Sequence, residues 1–133
     1  MYKLIATLAL AVSANAFADI AVIAHPSNSS ADADIIKKIY LGKAKSFADG
    51  SSAKPVNQDG NAVFDEFNDK VLGKSSAQLN AHWSKLVFTG KGTPPDKLAN
   101  DQAVIDFVSS NPGAIGYVSS GSVSGDVKVV ATF

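Results

Sequence analysis

The sequence predicts a three-layer α/β domain, in which helices cover both faces of a mixed sheet. Two observations predict it. Short apolar runs typical of buried strands lie towards both ends of the 133-residue chain. Between them, apolar residues recur at helical spacing in four segments that end at Gly or at Asn-Pro-Gly. Strand and helix patterns that alternate in this way favour one domain built around one sheet.

The first strand and helix are predicted from residues 20–42. The run Ile20–Ala24 is apolar without a break, which indicates a central strand covered on both faces. Residues 25–30 then break regular structure. The first helix is predicted from its apolar positions, Ile35, Ile36, Ile39 and Tyr40. Gly42 suits the left-handed residue that ends such a helix.

Two further helices follow a second strand, predicted at 54–56, and a turn at Gly60. Each has an apolar face of the kind that packs on a core. In the second helix this face consists of Val63, Phe64, Phe67, Val71 and Leu72. In the third helix, which Ser75 or Ser76 can cap, it consists of Leu79, His82, Trp83, Leu86 and Val87.

The last part of the chain predicts a loop, a helix and two strands. Gly and Pro residues at 90–95 indicate a rigid, helix-breaking loop. A fourth helix is predicted at 100–110, and it ends at Asn-Pro-Gly. The apolar runs 114–118 and 127–131 predict two closing strands, joined by a linker rich in Ser and Gly.

Residues 1–18 resemble a secretory signal peptide. They contain Lys3, an apolar run at 4–12 and small residues that end at Ala18. A membrane anchor is the less favoured alternative, because the apolar run is much shorter than the roughly 20 residues that span a bilayer. We therefore expect cleavage, a periplasmic location without stable membrane insertion, and a single mature domain at 19–133.

Composition excludes several classes of function. The chain has 12 basic and 12 acidic residues, so it has no field that would attract nucleic acid. It contains no Cys, which excludes disulfides, thiolate metal sites and a lipid anchor. His25 and His82 lack neighbours at metal-ligand spacing. No metal or other cofactor is expected.

The sequence does not indicate an enzyme. It contains no Gly-x-Ser-x-Gly nucleophile motif. Asp59, Asp65 and Glu66 lie close together, as a mechanism with paired carboxylates would require. Two of them fall in the first turn of a predicted helix, where acids are expected because of the helix dipole.

The segment 54–67 contains the most informative pattern, a strand that passes through a Gly turn into a helix. Such a turn leaves backbone N–H groups free at the helix N-terminus, where they can hold a small anion. The chain has no Arg, however, and residues 57–63 contain no Lys, Ser or Thr. The sequence therefore predicts the backbone of an anion site, but it lacks the Arg, Lys, Ser or Thr side chains that usually complete such a site.

Four strings in order resemble one family, the periplasmic phosphate-binding proteins of ABC transporters. They are Ile-Tyr-Leu-Gly-Lys at 39–43, Asp-Gly before Pro-Val at 49–56, Phe-Thr-Gly-Lys-Gly at 88–92 and Gly-Ala-Ile-Gly-Tyr-Val at 113–118. Their spacing is similar to that of the family's second lobe. The resemblance implies a single α/β/α lobe of the type II solute-binding fold, with a mixed and mostly parallel sheet.

The resemblance also implies a ligand site. In the family, this strand-to-helix turn supplies an Arg and a run similar to Gly-Ser-Gly-Thr, which hold phosphate. Here Asn57 stands near the Arg position and Gly60 is kept. Asn61, Ala62 and Val63 replace Ser, Gly and Thr. The implied ligand residues at this turn are Asn57, Gln58, Asp59, Gly60, Asn61, Ala62 and Val63.

Polar residues after two other strands are further candidates. Ser27 and Asn28 follow the first strand, and we expect them on the same sheet edge as Gly60, where they would add donors to a ligand. Ser119, Ser120 and Gly121 have a similar claim. The alternative is that the residues at 27–30 only cap the following helix, and that those at 119–121 have a similarly structural role.

Two functions are compatible with the sequence. In the first, the exported protein binds phosphate or another small anion weakly, or binds it with a second protomer or another periplasmic protein that completes the cleft. In the second, it is a periplasmic interaction or structural module that kept the fold and lost the ligand.

Overall fold

The structure is a computed structural model, and it describes residues 19–28 and 31–133. The predicted signal peptide at 1–18 lies outside the described residues, as do Ser29 and Ser30. The strands are β1 (Ile20–Ala24), β2 (Lys54–Gln58), β3 (Asp96–Leu98), β4 (Ala114–Ser119) and β5 (Lys128–Thr132). The helices are α1 (Ala33–Tyr40), α2 (Ala62–Phe67), α3 (Ser76–Phe88) and α4 (Asp101–Ser110). A π-helical segment (Asn68–Leu72) continues α2, and a 3₁₀ turn (Ser120–Ser122) follows β4.

The strands form one sheet in the order β3-β2-β4-β1-β5. β2 pairs in parallel with both β3 and β4. β1 runs antiparallel to both of its neighbours, β4 and β5. Four of the described strands therefore point in one direction and β1 in the other, which confirms a mixed and mostly parallel sheet. Since β1 is reversed, its carboxyl end lies at the opposite sheet edge from the carboxyl ends of β2 and β4.

The strand β3 at the edge of the sheet was not predicted. It has only three residues, two of them charged, and it follows directly after Pro94 and Pro95. Its register pairs Val56 with Asp96. A segment so short and polar has no apolar alternation, and only its neighbour β2 makes it a strand.

The core lies on both faces of the sheet. On one face, α1, α2 and the π-helical segment pack on alternate residues of β1 and β4, and α3 adds Leu79. On the other face, α4 packs through Val104, Ile105 and Val108. The alternation of strand residues between the two clusters reflects the two-residue period of a strand. These layers confirm the predicted α/β/α arrangement.

Gly116 in β4 allows the closest approach of α4 to the sheet. A Cβ atom at Gly116 would lie 2.5 Å from Val104 Cγ1 and 3.2 Å from Val56 Cγ2. No side chain fits there unless α4 or β2 moves, so the glycine is explained by packing. Gly42, by contrast, has a φ of +76°, as its predicted place after the end of α1 requires. It also packs on Trp83.

Replacing Gly116 by alanine should destabilise the fold. We expect Gly116→Ala to lower the free energy of unfolding by about 1–3 kcal/mol, as overpacking of a core does. Gly121→Ala is the matched control, because a Cβ atom at Gly121 would meet no neighbouring atom within 4 Å. Urea denaturation of both variants measures the effect. Equal midpoints for the two variants would contradict the close packing of α4 on β4.

Candidate functional site

The predicted strand-to-helix turn is present between β2 and α2. Gly60 has a φ of +65°, which favours glycine, and Asn61 is the N-cap of α2. Asn61 Oδ1 accepts a hydrogen bond from the backbone N–H of Phe64 at 3.0 Å. The cap thus uses one of the N–H groups in the first turn. Ala62 and Val63 come before Phe64 in that turn, where N–H groups have no partner within the helix.

The buried side chain of Gln58 connects this turn to its surroundings. Its Nε2 donates to Asp101 Oδ1 at 2.7 Å and to the carbonyl of Tyr117 at 2.9 Å. Its Oε1 accepts from Asn61 Nδ2 at 2.7 Å. Gln58 is 0% exposed, so these bonds replace all contact with water. Its amide is fully used inside the protein.

Asp101 places a carboxylate at the same sheet edge, in the first turn of α4. Besides the bond from Gln58, its Oδ2 accepts from the hydroxyl of Ser122 at 2.7 Å and from the N–H of Ser119 at 3.2 Å. Hydrogen bonds from these three donors stabilise the negative charge of the carboxylate. The chain therefore supplies its own anion where the polar groups of this edge converge.

Asn57 is held by Tyr117 rather than left for a ligand. The Tyr117 hydroxyl donates to Asn57 Oδ1 at 2.7 Å and accepts from the N–H of Gln58 at 3.1 Å. The Tyr117 ring stacks on Phe67, with ring centroids 3.8 Å apart. Together these contacts fix the end of β2 against the core.

An open cleft of about 550 Å³ lies in front of the turn. Its lining consists of Gln58, Asn61, Ala62, Val63, Asn100, Asp101, Gln102, Ile105 and Ser122. Asp101 is the one charged side chain among them, and none of these described residues is Lys. The cleft brings together four of the predicted ligand residues, Gln58, Asn61, Ala62 and Val63. It does not include Asn57, Asp59 or Gly60.

Ser27 and Asn28 do not lie near this cleft, so the prediction that they share an edge with Gly60 is wrong. Because β1 is antiparallel to β4, these residues reach the start of β4 instead. Asn28 Oδ1 accepts from the N–H of Gly113 at 2.9 Å, and its Nδ2 donates to the carbonyl of Ala114 at 3.1 Å. Ser27 Oγ lies 2.7 Å from His25 Nδ1. Their observed contacts are structural.

Sequence reasoning missed Asp101 and Ser122. Residue 101 lies at the start of the predicted helix 100–110, where an acid is expected because of the helix dipole, and the sequence did not single it out as a site residue. Its partners Gln58 and Ser122 are 43 and 21 residues away, and no local pattern connects them. Ser119 was among the predicted candidates, and its N–H does lie at this edge.

The contact of His82 with its surroundings is structural. His82 Nε2 lies 2.7 Å from the carbonyl oxygen of Leu41, a contact that packs α3 beside the end of α1. Within residues 19–28 and 31–133, no group of three potential metal ligands is found. No helix in that part of the chain is long and apolar enough to cross a bilayer.

Comparison with known proteins identifies the fold. No protein-family model and no curated protein sequence matches this chain. Solved structures do match. An ABC-type phosphate transport receptor from Vibrio cholerae superposes with a TM-score of 0.64 at 15% identity, over 85% of this chain and 45% of the receptor. The chain has the fold of one lobe of a phosphate receptor.

Two further structures agree with this likeness. A protein from Clostridium perfringens, described as a putative phosphate ABC transporter substrate-binding protein and solved with bound phosphate, gives a TM-score of 0.62 at 21% identity. PstS from Borrelia burgdorferi gives 0.64 at 14% identity. The chain covers 44% and 47% of these proteins, which in turn match 85% and 86% of it. The chain thus spans about half the length of the structures it matches, and the likeness establishes its fold.

Alkaline pH should unfold the protein through Tyr40 and Tyr117. Burial raises the pKa of both phenols above their usual value of about 10. The unfolded chain releases these protons near pH 10 while the folded chain keeps them. Stability is therefore complete below about pH 10 and falls above it, by up to about 1.4 kcal/mol per pH unit for each tyrosine.

Urea denaturation between pH 9 and pH 11 measures this slope, and Tyr40→Phe is the matched variant. Removing one of the two phenols should reduce the loss of stability with pH relative to the wild-type chain. In the chain from residue 19 onward, which lacks Tyr2, phenolate absorbance should appear together with unfolding. Its appearance near pH 10 in the folded protein would contradict the role of burial.

Proposed function

We propose that the protein is an exported lobe of the solute-binding type, which binds phosphate or another small anion weakly by itself. The observation that supports this best is the Gly turn at the N-terminus of α2, open to a cleft, in the fold of phosphate receptors. The pattern at 1–18 supports export to the periplasm. A second protomer or another periplasmic protein that covers the cleft would strengthen binding.

The hydrogen bonds at the turn explain why binding would be weak. The side chains of Asn57, Gln58 and Asn61 already have partners within the protein. The backbone N–H groups of Ala62 and Val63 remain for an anion. A helix N-terminus contributes about 0.3–1 kcal/mol at an exposed site, whereas millimolar binding needs about 4 kcal/mol.

Asp101 opposes a second anion at the same place. Gln58 donates to Asp101 through Nε2 and accepts from Asn61 through Oε1, so one amide group separates this carboxylate from the N-cap of α2. Water weakens the repulsion between like charges, and this cleft is open to water. Closure by a partner would exclude water and strengthen every electrostatic contact, the favourable and the unfavourable alike.

The second candidate is a periplasmic interaction or structural module that kept this fold without a ligand. The network of Gln58, Asn61 and Asp101 favours it, because the polar side-chain groups of these residues already have hydrogen-bond partners within the protein. In such a protein the network stabilises the turn, and the function would lie in a stable complex with another protomer or protein.

Titration with phosphate, followed by amide chemical shifts, tests the first candidate. We expect a dissociation constant above about 1 mM, with shifts centred on Ala62 and Val63. Asp101→Asn should bind several-fold more tightly, because it removes a negative charge beside the site. Asp106→Asn is the matched control, since Asp106 is an exposed acid on the same helix.

A different experimental result would contradict each of the two candidate functions. If no amide of the turn shifts at tens of millimolar phosphate in either protein, anion binding is rejected. Light scattering with size-exclusion chromatography then tests the second candidate. A chain that stays monomeric and copurifies with no other periplasmic protein would contradict an interaction module.

A further inference from the structure

A second cavity, of about 490 Å³, lies between α3, the π-helical segment and the loop before β3. It shares no lining residue with the cleft at the Gly turn. Aromatic and aliphatic side chains make up much of its wall, among them Tyr40, Phe64, Leu72, Leu79, Trp83 and Phe88. A volume of a few hundred Å³ with apolar walls and few polar groups is typical of sites for small organic ligands.

Asn68 lines this cavity and has an unsatisfied amide. Its side chain is buried, with 2% of the residue exposed, and its Nδ2 has no hydrogen-bond partner in the described part of the chain. Buried polar groups are almost always paired, so an unpaired donor beside a cavity indicates a missing acceptor. Asn68 also begins the π-helical segment, a distortion that is frequent at functional sites.

Lys97 adds a positive charge to the same cavity. It is an exposed residue of the edge strand β3, and its Nζ lies 5.8 Å from the centre of the Phe64 ring. The ion pairs found among the described residues do not include Lys97. An ammonium group over an aromatic wall attracts a ligand that combines an anionic group with an apolar body.

The outer part of the cavity exposes apolar surface. Phe88, the last residue of α3, is 92% exposed, and the neighbouring Val87 is 50% exposed. These two adjacent side chains form a small apolar patch at the rim of the cavity, and such patches can mark a ligand-binding groove. An apolar ligand in the cavity would cover part of this surface.

We propose that this cavity binds a small apolar carboxylate, aliphatic or aromatic. The carboxylate supplies the opposite charge that Lys97 lacks, and rotation of the Asn68 side chain towards the cavity gives the buried Nδ2 an acceptor. The apolar body lies against Phe64 and Trp83. This site is separate from the cleft proposed for phosphate and does not depend on it.

The test uses the fluorescence of Trp83, the only tryptophan of the chain. Trp83 lines this cavity and also an adjoining one of about 600 Å³, and Lys97, which lines only the first of the two, assigns the response. Phenylbutyrate is the probe and phenylbutanol its uncharged counterpart. We expect phenylbutyrate to change the emission of Trp83 in a saturable way. Phosphate should leave this emission unchanged, so failure here is distinct from failure of the phosphate site.

Two substitutions identify the polar contacts. Lys97→Gln should weaken phenylbutyrate binding about tenfold and phenylbutanol binding less than about twofold, as expected for loss of a charge-assisted contact. Lys85→Gln is the control, because Lys85 is an exposed lysine on α3 that lines neither cavity. Asn68→Leu should weaken binding without lowering the thermal midpoint, since it removes an unpaired buried amide.

Three outcomes would overturn the proposal. The first is the absence of a saturable response of Trp83 to phenylbutyrate. The second is an equal response from Lys97→Gln and Lys85→Gln. The third is a dimer by light scattering that Phe88→Ser abolishes and phenylbutyrate does not affect, which would assign this surface to a second copy of the chain.

Discussion

The Tyr117 side chain holds the candidate site to the core. Its ring stacks on Phe67 and meets Tyr40 edge to face, while its hydroxyl bridges Asn57 Oδ1 and the N–H of Gln58. One residue of β4 thereby fixes where β2 ends and where α2 begins. Tyr117 is 0% exposed, so its hydroxyl is buried together with its ring and has the hydrogen-bond partners that a buried tyrosine usually finds. The position of the Gly turn therefore depends on a contact from outside the turn.

The same edge of the sheet satisfies its polar groups from within the protein. A helix N-terminus in a concave surface attracts negative charge whatever side chains surround it. In this chain, a carboxylate of the protein lies at that edge and satisfies donors from β2, from β4 and from the 3₁₀ turn. The polar groups of this edge therefore have partners within the chain, and none of the three bonds to Asp101 requires a ligand.

Much of the fold follows from local sequence. The apolar run Ile20–Ala24 predicts a buried strand, Gly42 predicts the end of α1, and the Ser75 cap of α3 is present with its reciprocal bond to Gln78. The direction of β1 could not be predicted, because an apolar run does not specify whether its partner is parallel or antiparallel. The bonds of Asp101 could not be predicted either, because they join residues that meet only in the folded chain. The strand-to-helix turn at Gly60 is present, as predicted. Its role in binding an anion stays a prediction.

The reversed strand β1 also has a consequence for how the chain folds. β1 is the first described strand, yet its two neighbours are β4 and β5, the last two. Its hydrogen bonds close a loop that contains almost the entire domain, and the backbone of Ile20 pairs with that of Phe133. Contacts of such long range slow folding, since the entropy of closing the loop is lost before they form. β1 gains its second neighbour only when β5, the last described strand, is in place.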